Sequence, residues 1–376
     1  MRIAYVINSV EGGGAALPVP HIASALRNIG AQVSIFALTG RDRRALPAIV
    51  SAGLEVEVRA NGEKDHLAAL RWLDRAIVEY QPDVIWTSLT RATLLGQLVG
   101  LFQGIPVVSW QHAAFLRPVN RFLLRRMKNQ SVLWVADSEA VTAFTVRELG
   151  VSCGDIITWP LFAADPGAPQ GRPWMPGERI RIGSLGRLHP VKGYDVLIEA
   201  LALIQSESPQ TVPDITVTIA GEGQDRSRLT DLLAQTGLEN VAFSGFCAQP
   251  RDFLSGLHLY LQPSRSEGFC VAAHEAMQAG LPVIGSTVGE IANSIVGGVT
   301  GELVPPGDAR ALASAILKSV SSPARLKGMG DAGRCRLLSI FSDEEFRRGA
   351  RRIVERLEQL CRESQPTFRQ GIDRSV

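Results

Sequence analysis

The chain of 376 residues has almost no net charge, +2, so it makes no global electrostatic claim on nucleic acid. No interleaving of aromatic with basic residues supplies a local one. Cysteines are few and scattered, at Cys153, Cys247, Cys270, Cys335 and Cys361. With an odd count and no CxxC or matching histidine pattern, neither a disulfide framework nor a zinc site is indicated, and a reducing compartment fits. Long apolar runs are missing too: nothing reaches the roughly 18 residues of a spanning helix. The opening Met1–Ser9 is too short for a secretory h-region and leads into a glycine turn instead of a cleavage site. The expectation is a cytoplasmic protein, with contact to the inner face of the membrane left open.

What is present is a rhythm. Ile3–Ile7, Val33–Leu38, Leu54–Val58, Val84–Trp86, Val107–Trp110, Leu133–Ala136 and Ile156–Trp159 read as strands, separated by helical patterns such as His66–Tyr80 and Arg91–Phe102. A Pro/Gly-rich stretch over 166–178 breaks the alternation and reads as a linker. Afterwards Ile180–Leu185, Ile215–Ala220, Val241–Phe243, Leu257–Leu261 and Val283–Ile284 restart it. A charged amphipathic segment near Glu344–Leu360 closes the chain. The fold class is therefore α/β, with parallel sheets in two domains, 1–165 and 179–342. A C-terminal helix and tail, 343–376, are expected to pack back towards the first domain. Two such lobes imply a ligand cleft between the carboxyl edges of their strands.

Several segments at those edges carry chemistry. Glu267 and Glu275 stand eight residues apart, one in the loop after a buried strand and one near the start of the next helix. Paired carboxylates accept hydroxyl protons, and the helix N-terminus between them suits an anion. Gly186-Arg187-Leu188-His189-Pro190-Val191-Lys192-Gly193 offers a planar fork and a point charge, a sensible pyrophosphate clamp. Gly12-Gly13-Gly14 precedes a helix expected over Ala15–Arg27 and lets backbone approach a ligand. It is not GxGxxG, and Leu38-Thr39-Gly40 stands where a ribose-binding acid would be, which disfavours a dinucleotide. Glu222 in Ala220-Gly221-Glu222-Gly223, and Gly245-Phe246, end strands as compact turns or as walls of a nucleotide pocket. His112 ends another strand, as a structural residue or as a donor to a sugar. Each of these, taken singly, is also an ordinary turn or a solvated side chain.

In this order the segments GRLHPVKGYDVLIEAL from Gly186, AGEGQDRSRL from Ala220, VAFSGF from Val241, the run from Leu261 to Glu290 and GVTGELVPPGDARAL from Gly298 resemble the motifs of retaining glycosyltransferases of family 4. The likeness covers about residues 179–320; in the first lobe it rests on the Gly12–Gly14 turn and His112. It implies a GT-B fold, two Rossmann-like α/β/α domains facing across a cleft. It implies that Arg187 and Lys192 bind the diphosphate of a UDP- or GDP-sugar, that Glu275 holds the ribose, and that Glu267 and the backbone of Gly268, Phe269 and Cys270 hold the donor sugar. His112 would lie near the transferred sugar, making His112, Arg187, Lys192 and Glu267 the catalytic set. Gly13, Gly14, Glu222, Gly245 and Phe246 would complete the donor site. No permanently bound cofactor and no metal is implied, since two cations serve the diphosphate and no Asp-x-Asp motif is present.

Some positions depart from the family pattern. Cys270 stands where many relatives carry glycine, Gly289-Glu290 replaces a Gly-Gly pair, Asn293 stands where a glutamate often follows, and Ala15-Ala16 follow Gly13-Gly14 in place of an acid. No acidic residue near His112 offers a nucleophile for double displacement. The resemblance implies same-face attack instead, with a glycan or lipid-linked acceptor in surface polysaccharide or lipopolysaccharide assembly. The basic stretch 115–128, with five cations beside Phe122, Leu123, Leu124 and Met127, is either a membrane-facing amphipathic helix or an ordinary solvated face. A GT-B nucleotide-sugar epimerase and a non-catalytic binding subunit are the alternatives.

Overall fold

The computed structural model describes residues 1–60, 62–207 and 214–363; residues 364–376, the tail of the last segment, lie outside the described residues. Short runs of Val, Ile, Tyr and Trp form central strands buried on both faces, as parallel sheets demand, while the edge strands at 55–58 and 241–245 keep one face exposed. The first sheet comprises β1 (Arg2–Ile7), β2 (Gln32–Ala37), β3 (Glu55–Val58), β4 (Val84–Ser88), β5 (Val107–Gln111), β6 (Leu133–Ala136) and β7 (Ile156–Thr158), in the order β3-β2-β1-β4-β5-β6-β7. The second comprises β8 (Ile180–Leu185), β9 (Ile215–Ala220), β10 (Val241–Gly245), β11 (Leu259–Gln262), β12 (Val283–Ser286) and β13 (Gly301–Val304), in the order β10-β9-β8-β11-β12-β13. Every pairing between named strands is parallel. In each sheet the order reverses between the first and fourth strands, and the crevice beyond that point is where open α/β sheets hold ligands.

Two local expectations fail for identifiable reasons. The first helix does not start at Ala15; it runs Val19–Arg27, and 14–17 form a turn in which Ala16 and Leu17 N–H donate to Gly13 O. Pro18 caps that helix, and Pro20 sits in its first turn, where a missing N–H costs nothing. Strand β13 was not read from the sequence, because Gly-Glu-Leu-Val has only two apolar residues and pairs on one edge alone.

The chain crosses between lobes twice, and the crossings touch. Ala164 N–H donates to Phe341 O at 2.7 Å. The 166–178 segment runs along the second lobe, with Gly171 N–H bonded to Ala279 O and Trp174 packed against that lobe's core. The C-terminal helix Asp343–Glu363 buries Phe346, Ala350, Ile353, Val354 and Leu357 in the core of the first lobe. This is an apolar stripe at helical spacing, and each large side chain contributes roughly 1.5–3 kcal/mol. Gly349 admits the Trp159 indole against the helix backbone, where a Cβ would come within 2.3 Å of the ring.

Candidate active site

Loops from both reversal points meet in one cleft. After β8 the chain turns through 186–193, and Gly193 (φ +67) presses on Pro263 O, where a Cβ would lie 2.0 Å away. That contact brings Lys192 to the loop after β11: its Nζ donates to Glu267 Oε1 at 2.6 Å. Ser264 Oγ (2.6 Å) and Gln262 Nε2 (3.4 Å) donate to the same oxygen. Oε1 thus has three donors, and the Cys270 thiol is a further hydrogen-bond partner of the Glu267 carboxylate. Burial opposes the Lys192 charge, but Glu267 outweighs it and holds the ammonium above the ordinary lysine range. Sequence reading had the lysine and the glutamate as separate features; the fold makes them an ion pair. Arg187 is exposed and free of hydrogen bonds and ion pairs to described residues.

Gly268 follows, pressed against the first lobe. A Cβ there would lie 1.9 Å from His112 O, and Ser138 Oγ donates to Gly268 O at 3.3 Å. Only glycine lets the two lobes approach this closely. Phe269 turns away: its ring is buried against His274 (4.0 Å) and Phe341 (5.2 Å), so only its backbone faces the site. Cys270 has φ +68, the left-handed region in which glycine is at ease, and caps the helix Val271–Gln278. Burial, with Glu267 beside it, keeps its thiol protonated. His274 Nδ1 donates to Cys270 O at 2.9 Å, so Nε2 accepts from Ser294 Oγ at 2.8 Å. Burial lowers its pKa to about 4.

Glu275 lies one turn into that helix, and its carboxylate takes no hydrogen bond from a described residue. Burial raises its pKa to about 7, against the pull of Arg251. Gly14 is exposed and faces the same helix end, its Cβ position 3.8 Å from Val271. Gly13 N–H is spent on Glu11 O. Gly245 (φ +78) accepts Gly221 N–H at 2.6 Å, and the exposed Glu222 and Phe246 are both met by Arg44 of the first lobe.

The first lobe contributes one constellation that sequence reasoning missed. His112 Nδ1 lies 2.9 Å from each oxygen of Asp137, and Nε2 lies 2.7 Å from Ser88 Oγ. The three residues stand at the ends of β5, β6 and β4. The reading that no acid lies near His112 is therefore corrected: Asp137 is distant by 25 positions but adjacent across the sheet. Its signal was available, an acid directly after a buried strand at the cleft edge. Burial raises the Asp137 pKa while the imidazole draws it down. Both ring nitrogens of His112 are thus engaged by protein.

Two parallel-sheet lobes whose reversal points face each other across one cleft define the GT-B architecture. Residues 174–336 match the family model of glycosyl transferases group 1, and residues 12–162 match that of glycosyltransferase family 4. The chain belongs to these GT-B glycosyltransferases. It is 27% identical to a D-inositol 3-phosphate glycosyltransferase of Thermobispora bispora, over 88% of this chain and 87% of that one. An O-antigen biosynthesis glycosyltransferase, WclY of Escherichia coli, is 34% identical over 30% of each chain. The solved structure of Anabaena HepE in complex with UDP-glucose superposes with a TM-score of 0.81 at 21% identity, over 94% of this chain and 99% of that one.

Proposed function

We propose that this glycosyltransferase moves a hexose-type sugar from a UDP- or GDP-linked donor to a glycan or lipid-linked hydroxyl, with retention at the anomeric carbon. The observation that carries this reading is the meeting of Lys192, Glu267 and the Gly268 loop with His112 in one cleft. The donor's diphosphate lies on Lys192 and Arg187, the ribose hydroxyls on Glu275, and a sugar hydroxyl on Glu267. As the bond between the anomeric carbon and phosphate oxygen breaks, the two cations stabilise the departing charge. The acceptor oxygen bonds to that carbon from the same face, and its proton passes to the leaving phosphate oxygen. Asp137 supports this route over double displacement, because its carboxylate is buried behind the imidazole with both oxygens engaged.

A surface polysaccharide or lipopolysaccharide role draws support from the WclY relative. Contact with an anionic membrane draws support from the helix Pro118–Met127. Phe115, Val119 and Phe122 are more than 60% exposed there, beside Arg117, Arg121, Arg125 and Arg126. Among the described residues no helix is long and apolar enough to cross a membrane.

Thermal-shift screening against UDP, GDP, ADP and their sugar conjugates tests the donor site. A rise with one nucleotide names the donor class; no rise at millimolar concentration sinks the reading. NMR of the product then reports the anomeric configuration, turnover in EDTA reports on metal, and flotation with anionic liposomes tests the lipid contact.

A further inference from the structure

Arg44 belongs to the first lobe but ends on the second. Its guanidinium carbon lies 3.7 Å from the centroid of the Phe246 ring, and its Nη2 lies 3.1 Å from Glu222 Oε2. These partners stand on the loops after β10 and β9. The Glu222 loop rests directly on the loop of Arg187: Leu188 N–H donates to Glu222 O at 2.9 Å, and a Cβ on Gly223 would lie 2.2 Å from Leu188 O. Arg44 therefore sits where the diphosphate loop, an aromatic face and the Gly12 turn converge.

The backbone that delivers it is strained. Arg41 and Arg43 have φ of 45° and 54°, left-handed conformations that persist only where neighbours over-determine them. The neighbours are present. Arg41 pairs with Glu11 and Glu63, each at 2.6 Å. Asp42 Oδ1 accepts the N–H groups of Gly12 (3.0 Å) and Arg44 (3.1 Å). The loop is thus tied to the glycine turn on one side and carries Arg44 across the cleft on the other.

Phe246 stays 43% exposed even with a guanidinium on it. Because Arg44 reaches it from the first lobe, the covered face is the one turned towards that lobe. A nucleobase and a guanidinium stack on an aromatic face for related reasons, and they cannot share one side of it. The hold of Arg44 on the second lobe is weak: an ion pair with side chains 37% and 57% exposed, and one exposed cation–π contact; within its own lobe it also lies 3.7 Å from Asp42 Oδ2.

We propose that Arg44 is the gatekeeper of the nucleobase subsite, covering the side of Phe246 turned towards the first lobe when no nucleotide is bound and yielding it to the base of a nucleoside diphosphate. The proposal rests on the nucleotide-sugar reading above. It predicts that removing the guanidinium strengthens nucleotide binding, opposite to what loss of a phosphate-binding arginine would do.

Calorimetric titration of the full chain with UDP, GDP and inorganic pyrophosphate tests it, on the wild type, Arg44→Ala and Arg44→Gln. For the nucleotide that the wild type binds, Kd falls about three- to tenfold in both variants. Pyrophosphate, which has no base, gains nothing. Nucleotide affinity that is unchanged or weaker in both variants overturns the proposal. Failure of UDP and GDP alike to bind the wild type overturns the donor reading itself, and the gatekeeper with it. Melting temperatures without ligand verify folding, and Arg44→Gln carries the test if the alanine variant does not fold.

Discussion

Asp137 holds the His112 imidazole from behind, both carboxylate oxygens 2.9 Å from Nδ1. With Ser88 at Nε2, the ring is fixed in orientation, and the His112 carbonyl is fixed against Gly268. Asp137→Asn keeps the volume but removes the charge that favours Nδ1–H. We expect turnover to fall about 100-fold, as for small misplacements at a reacting centre, with nucleotide affinity retained. Unchanged turnover in a folded variant would show that the orientation of His112 does not matter to transfer.

Lys192 and Glu267 form a desolvated pair, their side chains 19% and 10% exposed. Lys192→Ala leaves the carboxylate buried and unpaired, at a cost of about 3–5 kcal/mol. Urea unfolding should show that loss, and Lys192→Met combined with Glu267→Gln should recover most of it. A single variant as stable as the wild type would mean that water already screens the pair. Loss of the nucleotide-induced thermal shift in Lys192→Ala has to be judged against its own lowered baseline.

Glu275 makes stability depend on pH with a definite sign. Burial raises its pKa from 4.5 to about 7. Below the lower value both states are protonated and the group contributes nothing. As pH rises, the unfolded chain releases its proton first, so stability falls, and the penalty is complete above about pH 7. Glu275→Gln should therefore be more stable than the wild type by up to about 3 kcal/mol near pH 8 and equal to it near pH 4. The same variant should bind nucleotide more weakly. Parallel pH profiles of the two proteins would contradict the burial argument.

Gly268 sets how far the cleft can close. Gly268→Ala would place a methyl carbon 1.9 Å from His112 O. The lobes must then separate while each keeps its own core. Turnover should fall at least 100-fold, and small-angle scattering should report a larger radius of gyration. A variant with unchanged scattering and activity would show that the closed contact is dispensable.

Legibility in the sequence followed the range of each interaction. Strands such as Ile3–Ile7 could be read because burial on both faces demands an unbroken apolar run, a property of neighbours along the chain. The glycine at 193 and the carboxylate at 267 could be singled out as types, but not as parts of one contact. The start of the first helix was misjudged although its cause, Pro18, is local. Asp137 escaped because its partner lies on the adjacent strand, and only the register of β5 against β6 brings their ends together.

Composition, apolar period and residue type along the chain were enough to determine two parallel α/β lobes and to place the candidate residues at the strand ends. The tertiary structure alone decided which strand ends face one another. It made Lys192 and Glu267 a pair, set Asp137 behind His112, and carried Arg44 onto Phe246. The physical reason is that these contacts depend on sheet register and on the docking of one lobe against the other, which no stretch of neighbouring residues encodes.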